Sequence, residues 1–267
     1  MVGLYERVER DGVAIYTVPS LFEACGVGIA FSERIGGVSR SPWATLDLAG
    51  HVDDEPAHVD RNRDLLLESI GVGALRDRLT TAEQVHGTTL ARVDAAAAGS
   101  GAYVARGRGP IRATDALWTT ERGVPLLLMF ADCVPVVLVR PSIPAVAVVH
   151  AGWRGAAAGV IEAAVAELAA IPGPDDLVAY VGPHIGSCCY EVGPECVSHF
   201  DNTFVTITAA STRLDLGAAV AHTLERSGVP KGRQCHLGIC TAHNTDRFFS
   251  HRAEGLTGRH GALAVII

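Results

Sequence analysis

Three segments of this sequence each carry, at the end of an apolar run, a side chain that binds metals or acts as a nucleophile or base. They are EQVHG (83–87), ADCVP (131–135) and VHAGWRG (149–155), and the side chains are His86, Cys133 and His150. Imidazole and thiolate are donors that zinc prefers. Three protein ligands with an open fourth position make a catalytic site rather than a structural one. The three lie far apart in sequence, unlike the tight ligand pairs of a zinc finger. Cys133 and His150 stand at the ends of successive apolar runs that can pair as neighbouring strands. The same residues also serve a metal-free reaction, with Cys133 as nucleophile and His150 as base. Spacing alone does not decide between the two, and any one of these residues taken alone is more often core or turn.

Other groups lie near them. Asp132 adjoins Cys133 and reads as an acceptor for a ligand histidine, a general base or a turn cap. Gln84 falls two residues before His86, on the same side of an extended segment. It reads as a substrate hydrogen-bonder or a surface strand residue. Arg154 just precedes a helix expected over 155–170 and is the best candidate to hold an anion. A salt bridge fixing its turn is the equal alternative. Arg34 and Arg247 are weaker anion candidates, and Gly36-Gly37 reads as a turn before it reads as a phosphate loop. Cys188 and Cys189 are adjacent, as packing or loop thiols, with a vicinal disulfide or a metal role as the rarer reading. Tyr190 is placed at a pocket mouth and Trp153 in the core. His51 and His243 read as surface or loop residues.

The elements that must position these groups follow from the apolar pattern. LLLMF (126–130), VPVVLV (134–139) and AVAVV (145–149) are short, turn-bounded runs and predict buried strands. LVAYV (177–181) predicts another. Residues 13–31 predict two strands around a turn, and strands are expected near 79–93, 235–239 and 261–267. Helices are expected at about 55–70, with Asp53 or Asp54 as cap and Val59, Leu65, Leu66 and Ile70 on the apolar side, and at about 214–227. Residues 94–112 are Gly-rich and read as a mobile loop or short insertion. Several neighbouring strands lack helices between them. That favours a single α+β domain over 1–267, with mixed β-sheets packed between helical layers, over a doubly wound parallel sheet.

Composition excludes several classes. A net charge of −7 argues against a duplex nucleic-acid binder but leaves room for a small anion held by local arginines. The longest apolar stretch, 124–139, is broken by Asp132, Pro125 and Pro135 and is too short to span a bilayer. The first twelve residues lack the apolar core of a signal peptide. Seven cysteines with no Cys-x-x-Cys pair point to reduced thiols and a cytoplasmic protein.

Taken together, FSERIGGVS (31–39), EQVHG, TDALWT (114–119), PLLLMFADCVPVVL (125–138), VHAGWRG, VGPHIGSCCYEVG (181–193), CTAHNTDRFFSHR (240–252) and TGRHGALAVI (257–266) resemble the YfiH family. That family is known as the multicopper polyphenol oxidoreductase or laccase-domain family and is also described as purine nucleoside phosphorylase. The resemblance runs from about residue 22 to the end. It implies that His86, Cys133 and His150 hold Zn2+ and that the substrates are a purine nucleoside and phosphate. The implied reactions are phosphorolysis of adenosine, inosine, guanosine and methylthioadenosine, and deamination of adenosine. The implied partners are these small molecules alone, for a monomer or small homo-oligomer.

Two alternatives accompany that reading. One is a hydrolase that edits peptidoglycan precursors. The other is a copper polyphenol oxidase, which needs many imidazoles, typically as His-x-His. This sequence has no His-x-His, so Cu2+ is expected at most as a substitute ion in vitro. Asp47, where family members often carry Asn, and His184, where a small residue is common, depart from the family pattern and are expected to bear on substrate preference.

Overall fold

The computed structural model describes residues 3–267. The chain opens with the hairpin β1 (Glu6–Arg10) and β2 (Val13–Thr17), then α1 (Pro19–Cys25) and β3 (Val27–Ser32). A long loop leads to α2 (Pro56–Ser69), the two-residue β4 (Thr80–Thr81), β5 (Leu90–Arg92), β6 (Ala116–Thr119) and β7 (Leu126–Phe130). The centre holds β8 (Val134–Arg140), β9 (Ala145–Ala151), α3 (Trp153–Ala158), α4 (Val160–Ala169) and β10 (Val178–Val181). Then come α5 (Pro194–Val197), the small hairpin β11 (Val205–Ile207) and β12 (Thr212–Leu214), α6 (Leu216–Arg226), β13 (Gln234–His236), α7 (His251–Glu254) and β14 (His260–Ile266).

Two six-stranded mixed sheets form the body, ordered β1-β2-β3-β14-β7-β4 and β13-β10-β8-β9-β6-β5. They pack face to face. Leu128 and Phe130 of β7 and Phe31 of β3 meet Val137, Val148 and Tyr180 of the other sheet. The outer face of the first sheet presents Ile15, Leu127 and Leu263 to Leu66 and Leu67 of α2. The outer face of the second presents Val136, Val149 and Ala179 to Ile161 and Val165 of α4 and Val220 of α6. This is the expected α+β arrangement, with sheets between helical layers.

The uninterrupted apolar runs now have a cause. Along β7, residues 126, 128 and 130 face the inter-sheet core while 127 and 129 face α2. Both faces are covered, so neither tolerates a polar side chain. Each such fully buried Val or Leu contributes roughly 1.5–3 kcal/mol.

Some elements differ from expectation. Between the first expected strands lies α1 rather than a turn; Pro19 opens it and Gly26, at φ 70°, closes it. The helix expected over 155–170 is two helices. Gly159 takes φ 98°, a left-handed conformation that ends α3 and starts α4. On α2 the buried face is Val59, Leu66 and Leu67, with Leu65 and Ile70 only partly buried. Residues 94–112 form turns held to β4, with Ser100 O accepting from Thr81 N at 2.9 Å and Thr81 O from Ile111 N at 3.0 Å. None of the described helices is long and apolar enough to cross a membrane.

The loop after β3 is fastened from two sides. Asn62 of α2 donates to Ser39 Oγ and Asp47 O, both at 2.8 Å, and Arg63 donates to Leu48 O. Gly36 and Gly37 sit where a Cβ would strike the backbone of Gly12 and of Thr45–Leu46, so they serve chain packing as a turn. Asp47 is fully buried; its Oδ1 accepts from Arg259 N at 2.7 Å and Ala49 N at 3.2 Å, while Oδ2 has no partner.

Burial pushes the Asp47 carboxyl up to about 7, against the pull of the Arg259 and Ala49 N–H groups. The folded state therefore keeps a proton that the unfolded chain releases near about 3.9, and stability falls as pH rises between those values. Asp47→Asn keeps an acceptor and removes the charge. Its melting temperature should exceed the wild type's by a margin that widens from about pH 4 to about pH 7 and then levels off. A margin independent of pH would refute the buried, raised carboxyl.

Candidate metal centre

The site is set by strand register. β8 and β9 pair antiparallel with Val134 opposite Ala151 and Pro135 opposite His150. Cys133 stands one residue before β8 and so arrives beside His150. On the other side β6 pairs with β9, Ala116 opposite Val149, which brings Asp115 alongside. Asp115 O accepts from His150 N at 2.8 Å, and Asp115 Oδ1 lies 2.8 Å from His150 Nδ1.

Asp115 also builds the loop that carries His86. Its carboxylate accepts from the N–H groups of Val85 (3.2 Å), His86 (2.9 Å) and Gly87 (2.7 Å). His86 takes φ 60°, a left-handed conformation uncommon for a residue with a side chain. Three hydrogen bonds to one carboxylate hold it there. Gln84 anchors the same loop at its other end, donating to Met129 O at 2.8 Å and accepting from Met129 N at 2.9 Å. Both ends of that amide are occupied, so Gln84 fastens the loop to β7.

The ligand atoms of His86, Cys133 and His150 all lie within 4.8 Å of one another. The structure thus brings the three predicted side chains to one point. A closed packing detail marks that point. A Cβ on Gly152 would stand 2.6 Å from His86 Cδ2 and 3.1 Å from Cys133 Sγ, so only glycine leaves room.

Charge is arranged to suit. Burial pushes the Cys133 thiol up, but His150 and His86 outweigh it and hold it well below the ordinary thiol range. Burial pushes His150 down, and Cys133 and Asp115 more than reverse that. Asp115 is held below the usual carboxylate range because His150 and the Gly87 N–H overcome its burial. An ionised Asp115 only accepts, so His150 Nδ1 carries the proton and Nε2 is left to bind. A divalent cation would take the place of the second imidazole proton.

With that geometry in view, the comparisons decide the family. The family described as multi-copper polyphenol oxidoreductase laccase matches residues 28–267. The chain belongs to it. A purine nucleoside phosphorylase of Streptomyces coelicolor is 38% identical over 88% of this chain and 93% of its own length. The purine nucleoside phosphorylase YfiH of Escherichia coli is 31% identical over 94% and 98%. The crystal structure of YlmD from Geobacillus stearothermophilus superposes with a TM-score of 0.88 at 32% identity, covering 99% of each chain.

In this laccase-family member the three candidate ligands open into a cleft of about 340 Å³, lined also by His51, Trp153, Arg154, Tyr190, His251, Arg252 and Arg259. A second cavity of about 560 Å³ adjoins it and shares His51, Gln84 and Met129. The turns of residues 103–110 form its wall.

Arg154 reaches the cleft, its guanidinium 4.2 Å from the Trp153 ring. Arg34 and Arg247 do not line it. Arg34 is held by Glu254 at 2.8 Å and by the carbonyls of Ala44 and Thr245, and Arg247 is paired with the buried Glu33. Asp132 lines the cleft, but its carboxylate accepts from Thr241 Oγ1 (2.6 Å), Ser250 Oγ (2.7 Å) and Arg252 N (2.7 Å). The acceptor for the ligand histidine is Asp115 instead. Trp153 and His51, read as core and surface, both face the cleft. Asp47 and His184 line neither cavity. His184 packs against Gly217 of α6, and Asp47 acts on the cleft only through the backbone of Arg259.

Sequence reasoning missed Asp115, Arg252 and Arg259. Each sits inside a motif shared with the family, TDALWT, FFSHR or TGRHG, and that membership was the only signal available.

Gly152→Ala should displace His86 and abolish tight metal binding without unfolding the sheets. Asp115→Asn should weaken metal affinity by about 10–100-fold, the usual effect of losing a ligand's carboxylate partner. Metal titration of the purified variants checks both. Wild-type affinity in either one would contradict the geometry.

Proposed function

We propose that the chain is a zinc-dependent purine nucleoside phosphorylase acting on adenosine, inosine, guanosine and methylthioadenosine, with adenosine deaminase activity. This reading takes residues 1–267 as one catalytic domain. It works in the cytoplasm on small molecules rather than on nucleic acid or membrane, as a monomer or small homo-oligomer. The observation that supports it is one thiol and two imidazoles brought together in a cleft that Arg154, Arg252 and Arg259 also line. The names of the relatives point the same way.

The donor set fits zinc. One sulfur and two nitrogens are borderline-soft donors, and three of them leave a fourth position for a reactant. When bound, the metal would act as a Lewis acid toward an oxygen of phosphate, water or substrate. Asp115 would hold His150 in the tautomer that offers Nε2. The arginines would hold phosphate by charge-assisted hydrogen bonds. Tyr190, with the Arg252 guanidinium 5.2 Å from its ring, offers a flat wall for a purine.

In phosphorolysis a phosphate oxygen bonds to the anomeric carbon while the carbon–nitrogen bond to the purine breaks. The electron pair leaves with the base, which takes up a proton, and ribose 1-phosphate remains. In deamination, water adds to the purine carbon bearing the amine and ammonia leaves.

The close pairing of Cys133 with His150 also supports a second reading, a hydrolase with a free thiol nucleophile. An enzyme that edits peptidoglycan precursors could use that chemistry. Protein purified without added metal separates the two: bound zinc in proportion to protein favours the first.

Adenosine should yield adenine and ribose 1-phosphate only when phosphate is present, and inosine with or without it. Cys133→Ala should abolish both. Arg154→Ala should raise the KM for phosphate by about 10–100-fold, as expected for one charged hydrogen bond of roughly 1.5–3 kcal/mol. Turnover retained in Cys133→Ala, or no purine product from any of the four nucleosides, would overturn the proposal.

A further inference from the structure

A second group of metal-type side chains stands apart from the first. The thiols of Cys188, Cys189 and Cys240 and a ring nitrogen of His243 lie within 4.8 Å of one another. All three cysteines are free. We propose that this group is a structural Zn2+ site with Cys3His ligation.

Local structure assembles the four ligands from two chain segments. Residues 187–189 form a turn closed by Gly186 O, which accepts from Cys189 N at 2.9 Å and Tyr190 N at 3.0 Å. Cys240 and His243 form a Cys-x-x-His pair on one short 3-10 turn, Thr241–His243. The two segments are joined as in a sheet: His184 bridges Cys240, with His184 N donating to Ile239 O and Thr241 N to His184 O. One vicinal pair on a turn and one i, i+3 pair on a helical turn bring four donors round a common point.

One sulfur already meets a backbone donor. The N–H of Gly186 donates to Cys240 Sγ at 3.2 Å. Cys188 Sγ lies 3.5 Å from His243 Nδ1. A Cβ on Gly186 would come within 3.1 Å of Cys188 Sγ and 3.3 Å of Cys240 Cβ, so the missing side chain gives the sulfurs their space. Tetrahedral zinc with bonds of about 2.3 Å needs sulfurs about 3.8 Å apart, within small side-chain movements of the observed spacing.

Four protein donors close the coordination sphere, which distinguishes a structural site from the open set of His86, Cys133 and His150. Binding replaces thiol protons with the metal and involves no oxidant. Its place in the fold gives it a task. Segment 182–193 carries Tyr190, and segment 239–252 carries Arg252, both in the cleft wall. Arg252 already donates to Glu191 O at 2.7 Å. The ion would fasten together the two segments that frame the cleft opposite the ligand strands.

The test is metal content of the full chain, purified under reducing conditions and saturated with Zn2+, by elemental analysis. Wild type should hold two ions per chain. Cys240→Ser and Cys133→Ser should each hold one, and the double variant none. His243→Ala removes an exposed side chain that does not threaten folding; it should release one ion to a weak chelator and retain the other. With Co2+ in place of Zn2+, Cys133→Ser should keep most of the sulfur-to-metal absorption, because the remaining site has three thiolates. One ion in wild type with none in Cys133→Ser would refute the second site. So would two ions in Cys240→Ser, or a disulfide among Cys188, Cys189 and Cys240 in the reduced preparation. The two centres fail separately: two ions that persist in Cys240→Ser and His243→Ala count against the second, and two that persist in Cys133→Ser count against the first.

Discussion

One carboxylate holds the candidate metal centre together. Asp115 accepts three backbone N–H groups from the loop of His86 and faces the ring of His150. It is fully buried, and an ionised group in that position is tolerable only because every side of it meets a donor. Removing one partner of such a buried arrangement costs about 3–5 kcal/mol. Two ligands on unrelated segments thus depend on the same charge. The third, Cys133, depends on it indirectly, since β8 reaches the site through its pairing with β9.

Asp132 plays the matching part on the other side of Cys133. It takes φ 92° and accepts from Thr241, Ser250 and the backbone of Arg252, while its main-chain oxygen accepts from Ile185. Those four residues belong to the segments that bear the cleft's Tyr190 and Arg252 and the second cysteine group. Adjacent residues 132 and 133 therefore divide the work. One aims inward as a ligand and the other gathers the distal chain around it. A left-handed residue between two buried strands is what lets consecutive side chains point to such different ends.

How much of this was legible follows from the range of each interaction. The strands β7, β8 and β9 announce themselves because both of their faces are buried and the apolar run is continuous. His86, Cys133 and His150 were legible by type and by position at the ends of such runs. Asp115 was not, because an aspartate before a strand has many local uses and its partners lie 28 to 35 residues away. Arg252 and Arg259 resemble any surface arginine until the distal chain folds back onto Asp132 and Asp47. Arg34 and Arg247 looked equally suitable and are instead bound to Glu254 and Glu33. Local charge patterns do not reveal which cations are already neutralised.

The break between α3 and α4 shows the same limit at short range. An Ala-rich amphipathic stretch predicts one helix; a glycine weakens it at 159 without by itself requiring a break. The reason lies in the site. Gly152, the residue just before α3, is the position where any side chain would strike His86 and Cys133. Gly155 is likewise confined, with its Cβ position 2.8 Å from the carbonyl of Gly87. The first helix must therefore lie against the His86 loop, whereas α4 must lie against the outer face of β9 to bury Ile161 and Val165. One straight helix does not meet both demands. Gly159, at little cost in a left-handed conformation, resolves them, so the break reflects the packing of α3 against the His86 loop as much as the local sequence.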